Sequence, residues 1–359
     1  MKYTRSRIIG TGAHIPSRII QNHTFESAHF VNADGSPMKY EAARVVEKFG
    51  AVAGILERRY AKQDVLATDL AVKASQRAIE AAKIDPESID YIILAHNFGD
   101  VRDDGGTSDV LPNLAARVKH HLGIKNSFCV AYDLLFGCPG WVQGLIQADY
   151  FLRSGDAKRA LVIGADTLSR VVDKHDRDRM LFSDGAGAVI LEAVETDEDI
   201  GIISHVTVSD CQDEVDYLRM DQSFLPEEDP DGFYMKMDGR NVFRYAMEKV
   251  PPAISHCLEK AGQQLEQVSS FLLHQANVKM IRMIIARLFD NHKVEVDLDQ
   301  VLPITADVLG NSSVATIPTL LDLMARGEME GHVFKKDELI VFASVGAGMH
   351  ANCLLYRHG

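Results

Sequence analysis

The sequence predicts an α/β protein built from two pseudo-symmetric halves, stacked as five layers in the order α/β/α/β/α. Three observations carry this. Short β-branched runs alternate with longer stretches of helical spacing along all 359 residues, the pattern of a largely parallel sheet covered on both faces. Residues 79–95, IEAAKIDPESIDYIILA, align without a gap with residues 258–274, LEKAGQQLEQVSSFLLH: a helix end, a polar turn, Ile89 against Val268, then an apolar strand. The match continues in a helix ending at Arg153-Ser-Gly155 before the strand ALVIGA, and one ending at Ala325-Arg-Gly327 before LIVFASVG. The halves divide as 1–195 and 196–359.

In chain order, RIIGTG (7–12) is expected as a strand entering a turn. Gly10-Thr-Gly12 is no dinucleotide loop, because His14, Ile15 and Pro16 follow with no third glycine and no helix start. Residues 22–50 read as polar and irregular, with a turn at Asp34-Gly35-Ser36-Pro37. Thr68 to Lys83 has helical spacing at Leu70, Ala74 and Ile79 and stops before Asp85-Pro86. Tyr91 to Ala95 is a buried strand, 99–109 a Gly/Asp loop, and Pro112 to Leu122 a helix. Ala160 to Gly164 is a strand. FSDGAGAVILEA (182–193) reads as a Gly-rich turn feeding a strand; it lacks the Gly-Lys-Ser/Thr of a phosphate loop, so close backbone packing accounts for its glycines. Residues 194–235 read as an acidic connection with a loop at Pro226–Pro230. Asn241 to Lys260 is helical, interrupted or restarted at Pro251-Pro252.

Composition excludes several classes. A hydrophobic share of 46% and a charged share of 25% describe an ordinary soluble core. No apolar run approaches membrane-spanning length, and the first residues carry no signal-peptide pattern. The net charge of −13 argues against nucleic acid as a partner. Cysteines 129, 138, 211, 257 and 353 are scattered and odd in number, with no CxxC and no zinc spacing. A reducing, cytoplasmic setting is expected.

Three residues stand at strand or loop ends where parallel sheets place functional groups. Cys138 follows Phe136-Gly137 and precedes Pro139 and a helical run. Proline favours the first helical position, so Cys138 is expected at a helix mouth, where free N–H groups and the dipole favour a thiolate. Taken locally, a buried inert cysteine explains the same letters as well. His274 directly follows Phe271-Leu-Leu273. Asn311, in LGNSSVATIP, precedes a helix and could serve only as its cap. In the two-half alignment, Cys138 and Asn311 fall on equivalent loops. A cysteine can hold an acyl group as a thioester; a neutral histidine and an asparagine can donate hydrogen bonds to an oxyanion or enolate.

The stretches IIGTGAHIP (8–16), GILERRYA (54–61), DLLFGCPGW (133–141), FSDGAGAVIL (182–191), MDGRNVF (237–243), HQAN (274–277), LGNSSVATIP (309–318) and SVGAGM (344–349) resemble, in order, the β-ketoacyl-acyl carrier protein synthase III family of thiolase-fold condensing enzymes. The resemblance implies a mechanism. Cys138 accepts an acyl group from a thioester, a malonyl or β-ketoacyl carrier-protein thioester follows, and His274 with Asn311 stabilises the enolate that attacks the acyl-cysteine. The backbone N–H groups of Cys138 and Ala347 would form the oxyanion hole. It also implies no metal or nucleotide cofactor, a homodimer, and an acyl carrier protein docking on Arg240, Arg244 and Lys279, with Asn277 of HQAN beside them.

The chain departs from the pattern before GILER. Lys48 and Val52 stand where a tryptophan and an arginine would hold the adenine of coenzyme A, so a carrier-bound donor is expected. Loop 97–110 is long, and Leu111 falls where a bulky residue enters the partner's acyl pocket, so a roomier tunnel is expected. These departures point to a specialised, secondary-metabolic member. Joining two acyl chains into a dialkylresorcinol-type precursor, acyl transfer to oxygen or nitrogen, and a non-catalytic partner subunit are the alternatives.

Overall fold

The computed structural model describes residues 3–102 and 108–359. The first half contributes strands β1 (Tyr3–His14), β2 (Arg18–Gln21), β3 (Glu57–Tyr60), β4 (Tyr91–Ala95), β5 (Val130–Leu134), β6 (Arg159–Thr167) and β7 (Asp184–Thr196), with helices α1 (Ala42–Ala53), α2 (Ala67–Ala82), α3 (Leu114–His121) and α4 (Gly140–Ser154). The second contributes β8 (Gly201–Ser209), β9 (Leu218–Gln222), β10 (Phe233–Met237), β11 (Val268–Leu273), β12 (Leu339–Gly346) and β13 (His350–Arg357), with α5 (Gly239–Ala261), α6 (Val278–His292), the short α7 (Leu298–Val301) and α8 (Ala306–Leu309), and α9 (Thr316–Ala325).

The two main sheets run β1-β7-β6-β4-β5 and β11-β12-β13-β8. Apart from β5, they are the same sheet twice: β4-β6-β7-β1 matches β11-β12-β13-β8 in order and in the sense of every pairing. The repeat read in the sequence is therefore real. The sheets are mixed rather than largely parallel: β4–β5, β4–β6 and β11–β12 are parallel and the other four pairs antiparallel. The chain enters β7 from two 3-10 turns at Leu168–Arg170 and Arg177–Leu181, with no crossover helix to reverse it.

Strand alternation then dictates the layers, because successive side chains point to opposite faces. Along β7, Ala186, Ala188 and Ile190 pack with Ala71, Ala74 and Ala78 of α2. Val189 and Leu191 face a central core of α4 and α9 residues, which also receives Ile340, Phe342 and Leu354 from the second sheet. Val341, Ala343 and Leu355, on the other face of that sheet, pack with α5 and α6. The order is thus α2 and α3, sheet, α4 and α9, sheet, α5 and α6.

Several expectations are corrected. The glycines of GTG lie inside β1, not in a turn: a Cβ on Gly12 would come within 2.3 Å of the Ala74 carbonyl oxygen. Gly185 and Gly187 likewise sit inside β7, where a Cβ on Gly187 would meet Pro318 at 2.7 Å. Close packing is the right account of these glycines; a turn is not. Residues 22–50 contain most of α1, whose Val45 and Val46 pack with Phe25 and Phe30 in a small separate core. The 194–235 connection contains β8, hydrogen-bonded along β13, and the β9–β10 hairpin. Pro251 and Pro252 do not break α5, which runs on as one helix because Val250, Ile254 and Cys257 are buried in the outer core. Part of the Gly/Asp loop, 103–107, lies outside the described residues.

Substituting Gly12→Ala forces α2 off β1. Overpacking of this kind costs about 1–3 kcal/mol, and urea melts should show that loss; an unchanged midpoint would refute the close contact.

Candidate active site

Both central helices begin at one cavity of about 1200 Å³, lined by Cys138, His274, Asn311, Ser313 and Ala347 among others. The chain reaches Cys138 through Gly137, at φ +60°. A Cβ on Gly137 would lie 2.7 Å from the Ala347 nitrogen, and one on Gly346 would lie 2.6 Å from the Cys138 nitrogen. The turn before α4 and the turn after β12 are thus in backbone contact, which puts the amides of Cys138 and Ala347 side by side.

Helix α4 starts at Gly140 with Pro139 as its cap, so Cys138 stands at the helix mouth as expected. Its electrostatics differ from that expectation. Cys138 keeps part of its surface open to the cavity, yet burial pushes its thiol up to about 11. A hydrogen bond with the Ser313 hydroxyl and the residue's own amide pull the other way, and the nearby Asp166 carboxylate adds to the rise. Loss of solvent outweighs the local donors, and Cys138 rests as a thiol.

His274 follows β11 directly, and its amide donates to the Ala343 carbonyl at 2.9 Å. Burial lowers its imidazole to about 4, partly offset by the Ser313 carbonyl, so the ring is neutral. Its Nδ1 lies 2.9 Å from Thr316 Oγ1, and that hydroxyl is also 2.9 Å from the Ser313 carbonyl oxygen. The hydroxyl can accept from Nδ1–H while donating to Ser313, or turn and donate to Nδ1, and so supports either ring tautomer.

Asn311 is held in the bridge between halves. Its amide donates to the Leu181 carbonyl at 2.9 Å and its carbonyl accepts from Ser183 N–H at 2.8 Å. Its Oδ1 accepts from Ser313 N–H at 2.8 Å, which leaves the Nδ2 amide as the donor Asn311 can offer the cavity. Asn311 does not cap α9.

Arg58 of the ERR motif explains part of this. It is wholly buried, bonding the Met180 and Ile20 carbonyls and Asn22 Oδ1. It thereby anchors the 180–183 segment on which Asn311 lies.

Reading the sequence residue by residue missed Ser313, Asn97, Asp166 and Thr316. Ser313 holds φ +53°, an uncommon conformation for a residue with a side chain. Its Oγ accepts from Asn97 Nδ2 at 2.9 Å. Asn97 also bonds both carboxylate oxygens of Asp166, through its amide at 2.9 Å and its side chain at 2.6 Å. Burial raises that carboxyl to about 6. Asn97 lies two residues past β4 and Asp166 is the last residue but one of β6, so the strand-end rule that singled out His274 could have found them.

The remaining predicted residues separate. Arg240 and Lys279 are exposed and line the cavity. Arg244 is exposed one helical turn past Arg240, its Nη2 donating to Asn241 Oδ1 at 2.7 Å. Asn277 lines the cavity and caps α6, its Oδ1 accepting from Met280 N–H at 2.9 Å. Leu111 is 87% exposed and lines no part of its own chain's cavity. Lys48 and Val52 of α1 lie at the cavity, with Lys48 Nζ 3.5 Å from the Tyr40 ring centre. Among the described residues, no helix is long and apolar enough to cross a membrane.

Comparison with known proteins gives the same picture. Residues 132–211 match the family model of 3-oxoacyl-acyl-carrier-protein synthase III, and residues 258–358 match its C-terminal model. The β-ketoacyl-acyl-carrier-protein synthase III of Bradyrhizobium sp. BTAi1 is 32% identical over 98% of this chain and 99% of its own. The crystal structure of 3-oxoacyl-acyl-carrier-protein synthase III from Aquifex aeolicus is 30% identical, with a TM-score of 0.79 over 98% of this chain and all of that one. A priming β-ketosynthase of the R1128 polyketide pathway is 28% identical with the same TM-score, over all of this chain and 98% of that one. The chain belongs to the 3-oxoacyl-acyl-carrier-protein synthase III family of thiolase-fold condensing enzymes.

Proposed function

We propose that this protein carries an acyl group on Cys138 and joins it to a malonyl thioester by Claisen condensation. The observation that carries the reading is the convergence of Cys138, His274 and Asn311 on one cavity. In the first step Cys138 Sγ attacks the donor thioester. The thiol proton leaves as the C–S bond forms, and neutral His274 is the base at hand. The donor's thiol departs with that proton. The amides of Cys138 and Ala347 receive the oxyanion.

In the second step the malonyl thioester loses carbon dioxide. The electron pair of the broken C–C bond becomes an enolate, whose oxygen takes hydrogen bonds from His274 Nε2–H and Asn311 Nδ2. The Thr316 hydroxyl, by donating to Nδ1, supports the tautomer this needs. The enolate carbon attacks the acyl-cysteine, the C–S bond breaks, and the departing Cys138 thiolate takes up one proton from solvent, since the loss of carbon dioxide supplies none. A ring low in pKa suits this task, because a neutral imidazole at working pH needs no deprotonation to cycle. The relatives are named for the condensation, which favours a carbon acceptor over oxygen or nitrogen and over ring-forming chemistry.

The acidic chain offers Arg240, Arg244 and Lys279 as a local cationic rim for an acidic carrier protein. Lys48 and Val52 offer neither an indole nor a guanidinium at those two positions of α1, which favours a carrier-bound donor. Exposed apolar side chains gather at the edge strand β5, with Val130 on it and Phe128 and Leu135 on either side, and Leu111 is also exposed. Edge strands with such surface call for a cover, and a second copy of this chain is the cover we assign, with Leu111 entering its acyl pocket. All five cysteines are free, in keeping with a reducing, cytoplasmic setting.

Intact-mass analysis after offering a panel of acyl thioesters should show one acyl adduct on the wild type and none on Cys138→Ala. An adduct retained by the variant would remove Cys138 as nucleophile, and acceptance of acetyl alone would exclude the roomy tunnel. Iodoacetamide should alkylate Cys138 at a rate that rises roughly tenfold per pH unit through the neutral range toward the raised pKa, because only the thiolate reacts. A plateau already at neutral pH would contradict the buried thiol. Reversing charge in Arg244→Glu plus Lys279→Glu should raise KM for a carrier-bound malonyl group about tenfold with little change in kcat; an unchanged KM would place the docking face elsewhere.

A further inference from the structure

We infer that His29, His175 and Glu228 form a binding site for a divalent transition cation, with Zn²⁺ the best fit, at the outer wall of the cavity. The three residues are remote in sequence, so no motif announces them; their ligand atoms all lie within 4.8 Å of one another.

His175 is 3% exposed. Its Nδ1 is 2.9 Å from the His29 backbone carbonyl oxygen. A carbonyl only accepts, so Nδ1 carries a proton, and in the neutral ring Nε2 presents its lone pair outward. That Nε2 is buried and has no hydrogen-bond partner. A buried, unpartnered imidazole nitrogen costs free energy; a metal would satisfy it. The Nδ1–H to carbonyl bond is also the support that metal-bound histidines commonly have.

The other two ligands are in reach. Glu228 Oε2 lies 3.5 Å from His175 Nε2, and Glu228 Oε1 lies 3.5 Å from His29 Nδ1. Zinc bonds of about 2.0–2.1 Å in a tetrahedral shell require ligand separations of about 3.4 Å; each imidazole nitrogen already stands near that distance from one Glu228 oxygen, and a small turn of the carboxylate draws the three ligand atoms, now within 4.8 Å, onto one ion. The imidazole rings meet edge to face at 5.5 Å between centres, leaving both nitrogens free to converge. Two imidazoles and one carboxylate suit zinc better than calcium or magnesium, which take oxygen shells. The exposed side of His29 and Glu228 leaves a fourth position to water.

The placement gives the site a role. His29 belongs to the strap between β2 and α1, His175 to the turn after β6, and Glu228 to the loop of the β9–β10 hairpin, the Pro226–Pro230 stretch. Strap and turn are already joined where Val31 N–H donates to the His175 carbonyl at 3.0 Å. Val31 and Met38 of the strap and Met220 and Phe224 of the hairpin line the cavity. A cation would therefore clamp two wall segments together without touching Cys138.

The test uses the full-length protein, stripped with a chelator and titrated with Zn²⁺ in calorimetry against a competing chelator of known affinity. One Zn²⁺ per chain should bind at micromolar affinity or tighter. His29→Ala and Glu228→Gln, both at exposed positions, should each weaken binding at least about tenfold, and the double variant should lose the site. His256→Ala, at an exposed histidine elsewhere, should leave it intact. Zn²⁺ should also slow amide exchange in residues 26–38 and 223–232 of the wild type and not of the double variant. Binding weaker than the competitor, or unchanged affinity in the double variant, would overturn the assignment. Neither result bears on the condensation reading, which rests on other residues.

Discussion

Where residues 137–138 meet 346–347 there is no room for a side chain, and the site depends on that. Gly137 and Gly346 let two backbone turns touch, one from each sheet. Any larger residue at either position would separate the Cys138 amide from that of Ala347. The contact also sets how the halves stack. It lies where α4 begins, and α4 and α9 together form the apolar layer that both sheets share. Central-layer packing and the alignment of the site are therefore one constraint.

Burial sets the protonation states around that contact. Cys138 is pushed up, His274 down and Asp166 up, each with desolvation as the largest cause. All three shifts disfavour charge: Cys138 and His274 rest uncharged, while Asp166, raised only to about 6, stays largely ionised at neutral pH against the Asn97 donors. Ser313 organises it by touching the Cys138 thiol, Asn97 and Asn311, while its carbonyl faces Thr316 and His274. Its left-handed backbone is the kind of local strain that persists when surrounding bonds over-determine a residue.

Long apolar strands and strongly periodic helices were legible. Tyr91–Ala95 and the α2 stretch were read within a residue of their bounds, since one-sided or complete burial leaves a clear pattern. The match of residues 79–95 with 258–274 exposed the repeat because the equivalent elements keep their spacing. What failed was structure without such a pattern. Helix α1 buries only a few side chains in a small satellite core, and β8 is apolar on one face for part of its length. Glycines misled in β1 and β7, where they mark the approach of a helix and not a turn. In the site, Cys138, His274 and Asn311 stood out by position at strand and loop ends. Ser313 and Thr316 did not, because hydroxyl residues are common beside helix starts and only contacts across the two halves distinguish them.

The cavity's floor and its walls come from different parts of the architecture. The floor is made of sheet ends and the starts of central helices, which the shared core holds rigid. Beyond the starts of α5 and α6, the walls come from the strap at 22–41, helix α1 and the β9–β10 hairpin, none of which belongs to either main sheet. Sequence drift in the walls leaves the twin sheets intact, so selectivity can be retuned while the reacting groups stay in register. Such a division makes the scaffold evolvable: new acyl substrates can be explored by remodelling peripheral segments while the core shared by the two sheets stays as it is.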